Sequence, residues 1–169
     1  MLHRLLPLFA CICATAAIET PFSIWGGVAR FEDEGKEIGG EYGLNAGFGF
    51  MQYGASGLLG GIAGSDIDWR HGSDGEGRLD VVHLCYVERF RIDQSLQLYF
   101  GLGLGTAWTR IEDERSGATR KEDDWAWGVK ALIGVPITNA IGLEASWLGT
   151  EPTAGVTTSG FAAVLKIAF

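Results

Sequence analysis

Apolar and polar or small residues alternate with a period of two along most of this chain. The end shows it most plainly: Phe161, Ala163, Leu165, Ile167 and Phe169 fall on one face, and Ala162, Val164, Lys166 and Ala168 on the other. Successive side chains of a β-strand point to opposite sides, so this spacing predicts a strand with one greasy face. The last strand is placed at 158–169, and similar stretches lie at 22–31, 39–50, 55–69, 78–90, 96–111, 124–136 and 141–149. The stretch at 96–111 is the best patterned, with Leu98, Phe100, Leu102, Leu104 and Trp108 set against Tyr99, Gly101, Gly103, Gly105 and Ala107. Two stretches are ambiguous. In the first, Trp25 competes with Phe22 and Ile24 for the greasy face. In the glycine-rich third, Leu58 and Ile62 are expected to point out, and Gly61, Ala63 and Ser65 in.

The connections alternate in kind. Those after the first, third, fifth and seventh strands are polar, charged or long (32–37, 70–77, 112–124, 150–157), and those between are short. A barrel with an even number of strands, both termini on the periplasmic side and long loops outside has this rhythm. Trp69, Trp108, Trp125 and Trp147 fall near the loop ends of their strands, and Phe50, Phe90 and Phe169 near the turn ends. Two aromatic girdles are expected at the rims of a membrane barrel. The fold class read from the pattern is all-β, an eight-stranded antiparallel up-and-down transmembrane β-barrel.

Composition agrees. Glycine supplies 26 of 169 residues, about twice its usual share of ~7%. No apolar run reaches the roughly 18 residues of a helical span, and the mean hydropathy is only +0.14. The net charge is -8 and there is no basic stripe, which excludes nucleic acid as a partner. Residues 1–16 read as an export signal: Met1-Leu2-His3-Arg4, a short apolar core, then Ala14-Thr15-Ala16 as a small-x-small cleavage site. Residues 17–169 are then the barrel domain. Leu8-Phe9-Ala10-Cys11 offers lipidation at Cys11 as the other reading. Cleavage leaves Cys85 alone, so no internal disulfide and no cysteine zinc site is expected.

The whole mature stretch resembles the small eight-stranded outer-membrane barrels, the class of the outer membrane protein A transmembrane domain and outer membrane protein X. The resemblance rests on the export signal, the strand Tyr99-Phe100-Gly101-Leu102-Gly103-Leu104-Gly105, and the terminal alternation. It implies a bacterial outer-membrane location in contact with lipid and lipopolysaccharide. It also implies that Phe161, Ala163, Leu165, Ile167 and Phe169 form the signal read by the barrel-assembly machinery. A monomer is expected.

Three constellations are candidates for chemistry. Lys130, Glu144 and Lys166 lie on consecutive strands, all on the non-greasy face, with Glu144 between the lysines. Glu41, Asp80 and Glu88 are read as further interior acids. A barrel this narrow is filled by side chains, and ionised groups there must be paired. The acids at 32–37, 112–124 and Asp66, Asp68, Asp74 and Glu76 are read as an outer rim of solvated loops, since no calcium-loop spacing is present. His71-Gly72-Ser73 superficially resembles a deacylase pair, but it sits in a glycine-rich loop without the rigid support catalysis needs. No cofactor and no metal are expected. The functional expectation is a structural or surface-interaction (adhesion-type) barrel with a filled lumen. The alternatives are a narrow channel for ions or small solutes, a lipid A-modifying enzyme, and a soluble periplasmic ligand-binding barrel.

Overall fold

A computed structural model describes residues 22–92, 98–115, 119–138, 140–153 and 155–169, with the side chains of 52–55 left aside. The export signal expected at 1–16, Ala17 and the first residues of the fifth predicted strand, 96–97, lie outside the described residues.

Eight antiparallel strands close into a barrel in chain order. They are β1 (Phe22–Phe31), β2 (Tyr42–Ser56), β3 (Ile62–Ser73), β4 (Gly77–Arg91), β5 (Tyr99–Asp113), β6 (Arg120–Pro136), β7 (Ile141–Thr150) and β8 (Gly160–Ala168). The seam is β8 against β1, with Val28 opposite Ala163 and Trp25 opposite Lys166. Closure leaves no free edge, so the backbone groups along the wall are paired between strands. No described helix is long and apolar enough to cross a membrane.

The alternation decides which side each residue takes. Val28, Leu44, Leu104, Val129, Leu143 and Leu165 are exposed on the outer wall. Asn45, His83, Lys130 and Glu144 are buried inside. A greasy exterior around a charged interior is the reverse of a water-soluble domain and suits a wall facing lipid. This arrangement disposes of the soluble ligand-binding alternative. At the turn end, Phe22, Phe48, Phe50 and Phe169 cluster on the outside, and Phe90 stacks on Phe100 at 4.8 Å.

The ambiguous first strand resolves with Trp25 inside and Ile24 and Val28 outside. Gly47 lies opposite Trp25 on β2. A Cβ on Gly47 would come within 2.6 Å of the indole, so the glycine is what makes room for it.

The third strand differs from its sequence reading. The β2–β3 turn falls at 57–61 rather than 51–54, and the register shifts between Met51 and Ser56. The irregularity lies in the tail of β2; β3 itself alternates without interruption, in the phase opposite to the expected one. Ser65 pairs with outward Phe50, and Ala63 with Glu88, so both face out. Ile62 pairs with lumen-facing Arg89 and faces in. Asp66, Asp68 and Arg70 therefore enter the lumen instead of joining the rim.

The loop end also departs from expectation. The charged segment 32–37 folds into a short helix, α1 (Asp33–Gly39), laid over the mouth. Ile38 is buried there, and Gly39 packs on Leu79. The Gly35 and Glu32 N–H groups donate to the Thr157 and Ser159 carbonyls. The polar stretch 112–124 is mostly strand: β5 and β6 pair as far as Asp113 opposite Arg120. β6 pairs with β7 only from Gly128 onward, so residues 120–127 of β6 are paired on the β5 side alone, while β5 stays paired with β4 to its end.

Candidate functional site

The lumen divides into two halves. Toward the loops it is apolar: Ala29, Phe31, Leu79, Val81, Ala107, Ile111, Leu148, Ala162 and Val164 pack together, with Ile38 of α1 and Val156 above them. Toward the turns it is ionic. Asp66 Oδ2 accepts from Lys130 Nζ and from Arg89, each at 2.8 Å. Lys130 also donates to Asp68 Oδ2 at 2.8 Å. Glu144 lies 3.6 Å from Arg89, 3.6 Å from Lys166 and 4.0 Å from Lys130. The Tyr99 hydroxyl donates to Glu144 Oε2 at 3.1 Å.

Trp25 joins the halves. Its ring belongs to the apolar cluster, and its Nε1 donates to Asp68 Oδ1 at 3.1 Å. Lys130 and Lys166 stand 5.2 and 5.0 Å from the ring centroid, within the range of a cation–π contact. Arg70 sits near the boundary, donating to the Gly160 carbonyl at 2.7 Å and to Ser146 at 3.4 Å.

Lys130, Glu144 and Lys166 thus come together inside the barrel, while Glu41 and Glu88 do not join them. Glu41 is in phase with the lumen but stands on the loop rim, where it pairs with Arg30 at 3.1 Å and Lys36 at 3.9 Å. Glu88 is on the outer wall, since it pairs with exposed Leu102. It is nevertheless buried, because the turn at 57–61 folds over it. Its carboxylate accepts from the N–H groups of Leu59 and Gly61 and from the Tyr86 hydroxyl (2.8 Å). Asp80 is likewise outward, bonded to Arg78 at 2.8 Å, His71 at 2.9 Å and Trp69 Nε1 at 3.2 Å. Leu79, Val81, His83, Cys85 and Val87 fill the lumen side of β4 instead. Both faces of β4 mix apolar and polar groups, so periodicity alone could not say which turned inward. The residues missed in the lumen, Asp66, Asp68, Arg70 and Arg89, had a usable signal: Asp66, Asp68 and Arg70 share one face of a strand.

Among the described residues, the one group of three metal-type ligands that meets is Asp68, His83 and Cys85, with ligand atoms within 4.8 Å of one another. Asp68 already serves Trp25 and Lys130. The lumen carries Arg70, Arg89, Lys130 and Lys166 against Asp66, Asp68 and Glu144. A divalent cation there would add charge to a side already in excess, beside an ammonium. The residues fit a packed interior better than a metal.

At the rim, the arginines are each held by a carboxylate. Arg115 bonds Asp74, Arg110 bonds Glu112 at 2.6 Å, and Arg120 bonds Glu122 at 2.9 Å. The hydrogen bond from Arg110 holds the Glu112 carboxyl below its ordinary range, and that from Arg120 does the same for Glu122. His71 is oriented by Asp80, but Ser73 Oγ donates to the Gly77 carbonyl at 3.0 Å, so no hydrogen bond links that serine to the histidine.

No family model matches the sequence, and no curated protein resembles it closely enough to count as a match. Solved structures do match. Ail, the attachment invasion locus protein of Yersinia pestis, superposes with a TM-score of 0.65 at 14% identity, covering 90% of this chain and 100% of Ail. The chain has the fold of the small eight-stranded outer-membrane barrels. Neisserial surface protein A aligns with a TM-score of 0.61 at 11% identity, over 92% of this chain and all of that one. The N-terminal β-barrel domain of Pseudomonas aeruginosa OprF aligns at 0.63 and 12%, over 88% and 97%. Ail has also been solved with the heparin analogue sucrose octasulfate.

Proposed function

We propose that this protein is a small outer-membrane barrel whose lumen is a structural plug and whose activity lies on its loop-end surface, in a structural or adhesion-type role. One observation carries the reading. The ionic layer from Arg89 through Asp66 and Lys130 to Asp68 sits beneath a close-packed, mainly apolar layer that also holds Arg70, Asn45 and Thr109, and α1 covers the mouth above both. An ion crossing the lumen would have to break buried pairs and then force its way through that packing, and a cation would meet Arg70 there. This counts against the channel reading, although the lumen widens at the turn end. The Ser73–Gly77 bond counts against a hydrolase.

In this reading the chain ends face the periplasm and the extended loop ends of β5 and β6 face outward. The outer wall contacts lipid and lipopolysaccharide, and the alternation Phe161 to Phe169 serves as the assembly signal. The barrel acts as a monomer. Sulfated polyanions such as the one seen with Ail are poor partners for this rim, where Arg30, Arg110, Arg115 and Arg120 are each engaged by a carboxylate and the net charge is -8.

Two measurements test the proposal. Detergent-extracted membranes should yield a band whose gel migration changes on heating, and the purified barrel should be silent in planar bilayers. Recovery in the soluble periplasmic fraction would refute the membrane placement, and steady single-channel steps would overturn the plugged lumen.

A further inference from the structure

The turn-end mouth of the lumen, beside the paired chain ends at Phe22 and Phe169, holds a cavity of ≈ 290 Å3 lined by Ser23, Met51, Arg89, Arg91, Tyr99 and Lys166 among others. At ~30 Å3 per water, that is space for roughly ten waters. The cavity is bordered by cations with donors to spare. Among the described residues, Arg89 commits one nitrogen to Asp66, offers another to the Met51 thioether at 3.2 Å, and leaves its Nε buried without a partner. A thioether is a weak acceptor for a guanidinium. Lys166 has its carboxylate partner, Glu144, at 3.6 Å, beyond hydrogen-bond reach.

Glu144 Oε2 accepts from the Tyr99 hydroxyl at 3.1 Å, and it stands 3.6 Å from both Lys166 and Arg89. Neither cation therefore spends a direct hydrogen bond on it. In the ionic half Arg89, Lys130 and Lys166 balance Asp66, Asp68 and Glu144, so Arg91 at the lip gives the mouth its excess of positive charge.

We propose that this mouth is a binding site for a small oxyanion, a solute or headgroup bearing phosphate or carboxylate, held by Lys166, Arg89 and Arg91. Charge-assisted bonds from ammonium and guanidinium groups suit that chemistry. The anion would satisfy the spare donors and balance the charge of the mouth. The site needs no passage through the barrel, so it stands apart from the plugged-lumen reading.

The test uses the refolded barrel in dodecyl maltoside, which carries no phosphate, titrated with inorganic phosphate at constant ionic strength against chloride. Backbone amide shifts at Ser23, Tyr99, Lys166 and Ala168 are expected to move and saturate. Lys166→Met should raise the dissociation constant about tenfold or more. Arg91→Gln, at an exposed position, should raise it by a smaller factor without disturbing the fold. Acetate should displace phosphate from the same shifts. In phosphatidylcholine nanodiscs, a retained titration assigns the site to free solutes and a lost one to lipid headgroups. Shifts that never saturate, shifts confined to the rim arginines Arg110 and Arg120, or an unchanged constant in both variants would each overturn the proposal.

Discussion

The two halves of the lumen share one wall, one alternation and one greasy exterior, yet they are held together by different physics. The loop-end half is packed like the core of a soluble domain, with Leu79, Ile111 and Leu148 almost fully buried. Its stabilisation is spread over many small contacts. The turn-end half concentrates its interactions in a few ion pairs, with Asp66 and Glu144 as the hubs. A buried pair gains little over apolar packing while intact, but losing one member strands the other charge. The contrast predicts a tolerant half and a brittle half, joined at Trp25.

Asp66→Asn should break the contrast most sharply, because it removes the acceptor charge of both Arg89 and Lys130. A loss of roughly 5 kcal/mol is expected, the upper end for a broken buried pair. Urea unfolding in lipid vesicles measures it, and wild-type behaviour would show that the ionic half is not brittle. Glu144→Gln leaves Lys166 and Arg89 short of a counter-charge at longer range, for about 3 kcal/mol. An unchanged thermal transition would sink the network as a source of stability. Leu79→Ala tests the apolar half at about 2–3 kcal/mol, toward the low side for such a truncation because α1 can settle into the space. A loss exceeding that of Asp66→Asn would reverse the comparison. Trp25→Phe deletes the indole N–H but keeps a ring, for ~1.5 kcal/mol from the lost bond to a carboxylate. If the joint matters, that variant should combine non-additively with Asp66→Asn in a double-mutant cycle. Glu88→Gln, outside both halves, should have the smallest global effect. It should speed amide exchange at Leu59 and Gly61 roughly tenfold, leaving the exchange of lumen strands unaltered.

How much of this was legible in advance depended on the strand. On β5 to β8 most greasy side chains alternate with small or polar ones, and the sides of Lys130, Glu144 and Lys166 followed directly. On β4 the inward face carries Leu79, Val81 and Val87 with His83 and Cys85, while the outward face carries Asp80 and Glu88. With Val82, Leu84 and Phe90 also facing out, neither face is marked as the greasy one. Asp80 is tolerated there because Arg78, His71 and Trp69 bond it at the rim. Glu88 is tolerated because a turn folds over it. Ahead of β3, the register shift between Met51 and Ser56 lies in the tail of β2, and the weakly patterned glycine-rich sequence of 55–65 does not reveal the phase that follows it.

The sequence by itself determined the period, the number of strands, their antiparallel order and the outward greasy face. These follow from local alternation and turn chemistry, which each segment carries independently of the others. Only the tertiary structure decided what fills the barrel. Asp66 meets Lys130 across 64 residues of chain and Arg89 across 23. Trp25 reaches Asp68 because Gly47 makes room for its ring. Such meetings depend on strand register, bulges and closure, and these are settled by all eight strands at once.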